Sequence, residues 1–101
     1  MRTLSPALLS AAVLSAALFS APLAAKDDGP YYRAELAQPA GKQVIAGGVL
    51  WMCEGTQCFA GKGTSRPVVM CKRLAAETSA VMSFSYGGEA LGADDLARCN
   101  A

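Results

Sequence analysis

Four cysteines are the residues in this chain best placed to do chemistry: Cys53, Cys58, Cys71 and Cys99. Cys53 and Cys58 are spaced C-x4-C, not the C-x-x-C of thioredoxin-like redox centres, and a strand-like run precedes them instead of a helix N-terminus that would lower a thiol pKa. Zinc sites present ligands in two tight pairs, whereas Cys71 and Cys99 stand alone. There is no C-x-x-C-H haem attachment motif. The sequence contains no histidine, which removes the Ser-His-Asp and Cys-His arrangements and the commonest neutral-pH general base. Ser65 beside Lys62 or Lys72 has the composition of a Ser–Lys pair, but its place before Arg66-Pro67 suits a helix cap better. Asp94 and Asp95 are adjacent, so on a helix they point about 100° apart, a poor geometry for paired-carboxylate glycosidic chemistry. Gly61-Lys62-Gly63-Thr64-Ser65 departs from a Walker loop at two places, with Thr56 at the leading glycine position and Gly63 after the lysine. No catalytic residue, metal site or cofactor is expected, and the four cysteines read as two structural disulfides.

The compartment follows from the N-terminus. Arg2 precedes an apolar run at 7–19, and Ala21-Pro22-Leu23-Ala24-Ala25 leads into the charged Lys26-Asp27-Asp28. That pattern predicts a secretory signal peptide over 1–25, cut after Ala25 or Ala24. An Ala/Ser-rich run with one basic residue before it argues against a retained membrane anchor, and no stable membrane insertion is expected after cleavage. Removing residues 1–25 from the 101 leaves 76, a single small domain at 26–101. A domain of that size buries only about 60% of its unfolded surface, so two disulfides formed in the periplasm or outside the cell are the natural staples. With Arg2 gone, eight basic residues face eight acidic ones, and a nucleic-acid partner has no electrostatic support.

Hydrophobic periodicity gives the elements that hold the cysteines. Tyr31 to Leu36 alternates as a half-buried strand. Gln43 to Cys53 reads as the longest strand, with Gly47-Gly48 as a bulge or close backbone approach. Glu54-Gly55-Thr56-Gln57 is a hairpin loop setting Cys53 against Cys58, and Gly61-Lys62-Gly63 ends the third strand. Thr64 or Ser65 caps a helix over 66–78, with Pro67 in its first turn and Val68, Cys71, Leu74, Ala75 and Thr78 inward. Met82, Phe84 and Tyr86 alternate with Ser83 and Ser85 in a strand closed by Gly87-Gly88, and Asp94-Asp95 opens a last short helix. The order β-β-β-α-β-α predicts an α+β fold with a small, mostly antiparallel sheet. Of three possible pairings, Cys53–Cys58 closes the hairpin and Cys71–Cys99 ties the inner faces of the helices.

Tyr31-Tyr32-Arg33-Ala34-Glu35-Leu36, Gly48-Val49-Leu50-Trp51, Gly63-Thr64-Ser65-Arg66-Pro67 and Asp95-Leu96-Ala97-Arg98-Cys99-Asn100, with the four cysteines, resemble an uncharacterised family of small exported alphaproteobacterial proteins. The resemblance spans essentially the whole exported part and brings no assigned site with it. From the residues themselves, the expected function is that of a non-enzymatic periplasmic or secreted module binding a protein partner or envelope component. Tyr31 and Tyr32, beside the polar lead, and the hairpin tip Glu54, Gly55, Thr56 and Gln57 are the candidate contacts. The alternatives are a redox or enzyme-accessory protein using Cys53 and Cys58, and a purely structural envelope component.

Overall fold

The computed structural model describes residues 29–101, so the expected leader and its cleavage site lie outside the described residues. Strands β1 (Tyr32–Leu36), β2 (Gln43–Ala46), β3 (Val49–Glu54) and β4 (Gln57–Ala60) precede helix α1 (Pro67–Glu77). Strands β5 (Val81–Tyr86) and β6 (Glu89–Ala90) and helix α2 (Ala93–Cys99) follow. The strands form one antiparallel sheet in the order β2-β3-β4-β1-β5-β6. This is the expected α+β fold, stapled by Cys53–Cys58 and Cys71–Cys99 as expected.

The sheet has more strands than the sequence pattern predicts, and glycine pairs explain the difference. The run from Gln43 to Cys53 is two strands, because Gly47 and Gly48 take φ of +63° and +78° and reverse the chain. Consecutive positive φ values are what a two-residue type I′ hairpin turn requires, and Gly-Gly adopts them without steric cost. Gly87-Gly88 does the same: it closes β5 as expected and also turns the chain into an additional short strand, β6.

One face of the sheet carries the core. Tyr32, Trp51 and Phe84 form an aromatic cluster there, with Tyr32 stacked on Trp51 at 5.5 Å between ring centroids. Trp51 is fully buried and donates Nε1–H to the Ala46 carbonyl at 3.1 Å. The helices bring Met70, Cys71, Leu74 and Cys99 into the same core. Helix α1 begins after extended Arg66 with Pro67 in its first turn, and neither Thr64 nor Ser65 provides the expected side-chain cap. In β5 the buried residues are Val81 and Phe84, while Met82 is exposed. The register against β1 runs Glu35 to Ser83 and then Leu36 to Val81, leaving Met82 as the extra residue of a bulge. That irregularity breaks the simple alternation of Met82, Phe84 and Tyr86.

The chain end is clasped onto the sheet. The Asn100 side-chain amide donates to the Val81 carbonyl and accepts from the Val81 N–H, both at 2.8 Å. With Cys71–Cys99 beside it, this pair of hydrogen bonds holds α2 against β5.

Candidate functional site

Alternation along each strand leaves the second face of the sheet uncovered. Cross-strand registers place Gln43, Met52, Phe59, Arg33, Ser85 and Ala90 in one row across all six strands. Ile45 and Leu50 form a shorter row on one side, and Glu54, Gln57, Glu35 and Ser83 form another on the opposite side. At the β2–β3 end the face is apolar and open to solvent, with Ile45 71%, Leu50 47% and Met52 48% exposed. Half-buried Phe59 carries the apolar surface inward, and the Arg33 guanidinium lies 5.7 Å from its ring centroid. That separation is within the range of a cation–π contact. Two shallow depressions flank Phe59, one reaching Arg33, Glu35 and Ser83, the other reaching Lys42, Met52 and Glu54.

The hairpin tip expected as a contact surface borders this face. Glu54 and Gln57 are exposed beside Met52 and Phe59. Gly55 and Thr56 hold the tip in place: their carbonyls accept from Ala40 N–H at 3.1 Å and Leu36 N–H at 2.7 Å. Thr56 Oγ1 also donates to Glu35 Oε2 at 2.6 Å. The tip is therefore fixed to the end of β1.

The two tyrosines separate. Tyr32 is a core residue, 1% exposed, whose hydroxyl accepts from Gly63 N–H at 3.1 Å. Its alternation with Arg33 already puts it on the inner face, so it offers no contact surface. Tyr31 keeps part of its ring at the surface, edge-on to Tyr32 at 4.8 Å, with Lys62 Nζ 5.3 Å from its centroid. Tyr31 and the hairpin tip stand at opposite ends of β1, and the structure does not bring them into one site.

Ile45, Leu50, Met52, Phe59 and Arg33 are the surface residues that sequence reasoning passed over. Their signal was present: once Gly47-Gly48 is a turn, Ile45, Leu50 and Met52 share one parity and Val44, Ala46, Trp51 and Cys53 the other.

The cysteines lie on the inner side. Cys53 and Cys58 are 4% and 0% exposed and oppose each other directly across the β3–β4 ladder, with Cα atoms 4.0 Å apart. The Cys53 N–H donates to Lys42 on the β2 side at 2.8 Å, which marks Cys53 and Cys58 as a non-hydrogen-bonded pair, the closer kind of cross-strand pair. Among the described residues no polar or charged side chain is buried, and no three His, Cys, Asp or Glu residues cluster to hold a metal. The open face itself has an apolar centre at Ile45, Leu50 and Met52 and a charged margin at Arg33, Lys42 and Glu54.

Two disulfides fit an extracellular or periplasmic protein. Among the described residues no helix is long and apolar enough to cross a membrane. No curated protein and no solved structure matches the sequence. The model of a family described as a family of unknown function, DUF8200, matches residues 11–101, and the chain belongs to that family.

Proposed function

We propose that this is a non-enzymatic module of the periplasm or cell exterior that binds a protein partner or envelope component through the open face of its sheet. The observation that carries the reading is the contiguous exposure of Ile45, Leu50 and Met52, continued by Phe59. Apolar side chains grouped on one face mark contact surfaces more often than isolated ones do. Arg33, Lys42 and Glu54 frame this group, and an apolar centre with a polar rim is the usual anatomy of a protein interface. The fixed hairpin tip adds a preorganised edge, which lowers the entropic cost of binding. Export rests on the signal-like N-terminus and the two disulfides.

A redox role for Cys53 and Cys58 has less support. Exchange requires a thiolate to reach a sulfur, and both residues are buried beneath the hairpin.

The test is affinity capture from the envelope of the source cells with wild-type protein and with Leu50→Glu. Leu50 is surface-exposed, so the variant should fold, as checked by the fluorescence of buried Trp51. The expected result is a partner recovered with wild type and lost with the variant. Equal recovery by both would place the contact elsewhere.

A further inference from the structure

The two edges of the sheet are built differently. The β6 edge is only two residues long and carries Glu89. A short strand and a charge are both devices that discourage edge-to-edge pairing. The β2 edge, Gln43-Val44-Ile45-Ala46, has neither a charge nor a proline, and it holds the most exposed of the large apolar side chains described, Ile45.

Its backbone groups can be assigned. The β2–β3 turn is closed by the pair Ala46–Val49, and Lys42 accepts from Cys53 N–H at 2.8 Å. In an antiparallel ladder hydrogen-bonded and non-hydrogen-bonded pairs alternate. Lys42, Val44 and Ala46 therefore bond inward to β3, while Gln43 and Ile45 direct N–H and C=O outward. Helix α1 meets β2 at the inner face, where Met70 lies against Gly47. Among the described residues no hydrogen bond from another element reaches the Gln43 or Ile45 backbone.

We infer that β2 pairs antiparallel with β2 of a second copy of the chain, joining two sheets edge to edge across a two-fold axis. With Val44 on the axis, Gln43 lies opposite Ile45 of the second copy, and the reverse holds by symmetry. That register forms four main-chain hydrogen bonds and satisfies every outward group of Gln43 and Ile45 on both strands. The strand is thus complementary to itself, as an isologous two-fold contact demands. Charge is compatible too. Lys42 falls opposite Ala46 of the second copy, and the two Lys42 residues lie four positions apart along the strands, about 13 Å. That exceeds the screening length of about 8 Å at physiological salt. The pairing covers Ile45 and brings the Ile45–Leu50 rows of both copies together on one side of the joined sheet. An interface this short belongs to the weak class, so the dimer is expected at protein concentrations of order 100 µM and above.

The inference concerns the edge and does not depend on the open face as a partner site. Amide exchange measured by NMR on the wild-type protein at ~20 µM and ~1 mM tests it without any substitution. The Gln43 and Ile45 amides should slow by about fourfold at the higher concentration, while Val44 and Ala46, already bonded within the hairpin, serve as the reference. Sedimentation should show the weight-average mass rising by about half over the same range. Gln43→Pro removes an N–H that the hairpin does not use, and two of the four intermolecular bonds, so this variant should stay monomeric at ~1 mM. Leu50→Glu leaves the β2 backbone groups untouched and should still dimerise even if it loses partner capture. A monomer at ~1 mM, or a dimer whose Gln43 and Ile45 amides exchange at the monomer's rate, would overturn the inference. Neither result would bear on capture through the open face.

Discussion

Removing each disulfide separately should show that the two are unequal. The Cys71–Cys99 bridge closes a loop with a sequence separation of 28, against 5 for Cys53–Cys58. Loop-closure entropy then assigns about 3.5 kcal/mol to the long bridge and about 2 kcal/mol to the short one. A core this small supplies only about 3–5 kcal/mol of net stability. The double substitution Cys71→Ala and Cys99→Ala should consume most of it, leaving the Asn100–Val81 clasp and core packing to hold α2. The pair Cys53→Ala and Cys58→Ala should stay folded, because the β3–β4 ladder and the bonds from Ala40 and Leu36 keep the hairpin in register. Trp51 is the only tryptophan and is fully buried, so its fluorescence reports global unfolding in urea. With a urea slope of about 1 kcal/mol/M for a small domain, the short-bridge variant should lose about 2 M from its midpoint. The long-bridge variant should lose about 3.5 M or show no folded baseline. The reverse order would mean that the hairpin, not the helix pair, carries the loop constraint that matters.

Gly47 and Gly48 share a turn but differ in surroundings. A Cβ at Gly47 would sit 2.7 Å from Met70 Cε, whereas Gly48 has nothing within 4 Å. Gly48→Ala should cost about 1–2 kcal/mol for the positive φ alone. Gly47→Ala should cost a further ~1–3 kcal/mol as Met70 is displaced, a gap visible in thermal melts, and equal melting temperatures would refute it. Asn100→Ala leaves the Val81 N–H and C=O without side-chain partners and should lower stability by about 1–3 kcal/mol in urea titrations; an unchanged midpoint would show that the clasp contributes nothing. Asp95→Ala removes the exposed ion pair with Arg98 and one first-turn carboxylate of α2, and should shift stability by no more than about 1 kcal/mol in the same assay.

Those elements whose signals are local and unambiguous were legible from sequence. Pro67 with the spacing of Cys71 and Leu74 marked α1 to within a residue at each end. The four residues between Cys53 and Cys58 marked their hairpin, and both bridges followed from it and from the helix faces. The split of the long apolar run was harder, because nothing polar interrupts Val44 to Met52 and only the Gly-Gly pair marks the reversal. That single turn decides parity for everything around it. Treating it as a bulge hid the open face, since a continuous strand through Gly47-Gly48 never gathers Ile45, Leu50 and Met52 opposite one another. The Asn100 clasp and the Met82 bulge depend on contacts 19 residues apart and on a register against β1, which local periodicity does not encode.

The division of labour between the two faces bears on how such a domain binds anything. Both helices, both disulfides and the aromatic cluster lie on the inner side, so stability is concentrated at one parity of each strand. Along β3 the alternation is strict: Trp51 and Cys53 are buried while Leu50, Met52 and Glu54 are exposed. A domain this small without the staples would have less stability to spare for apolar side chains left in solvent. This one keeps Ile45, Leu50 and Met52 in solvent at a site where their hydrophobic stabilisation is unspent. Complete burial of a side chain of that size is worth about 1.5–3 kcal/mol, and the share belonging to the surface still exposed, about half for Leu50 and Met52 and more for Ile45, remains available for association. Residues of the open face can thus change with little effect on folding, and a loss of binding after such a change reports on contact itself.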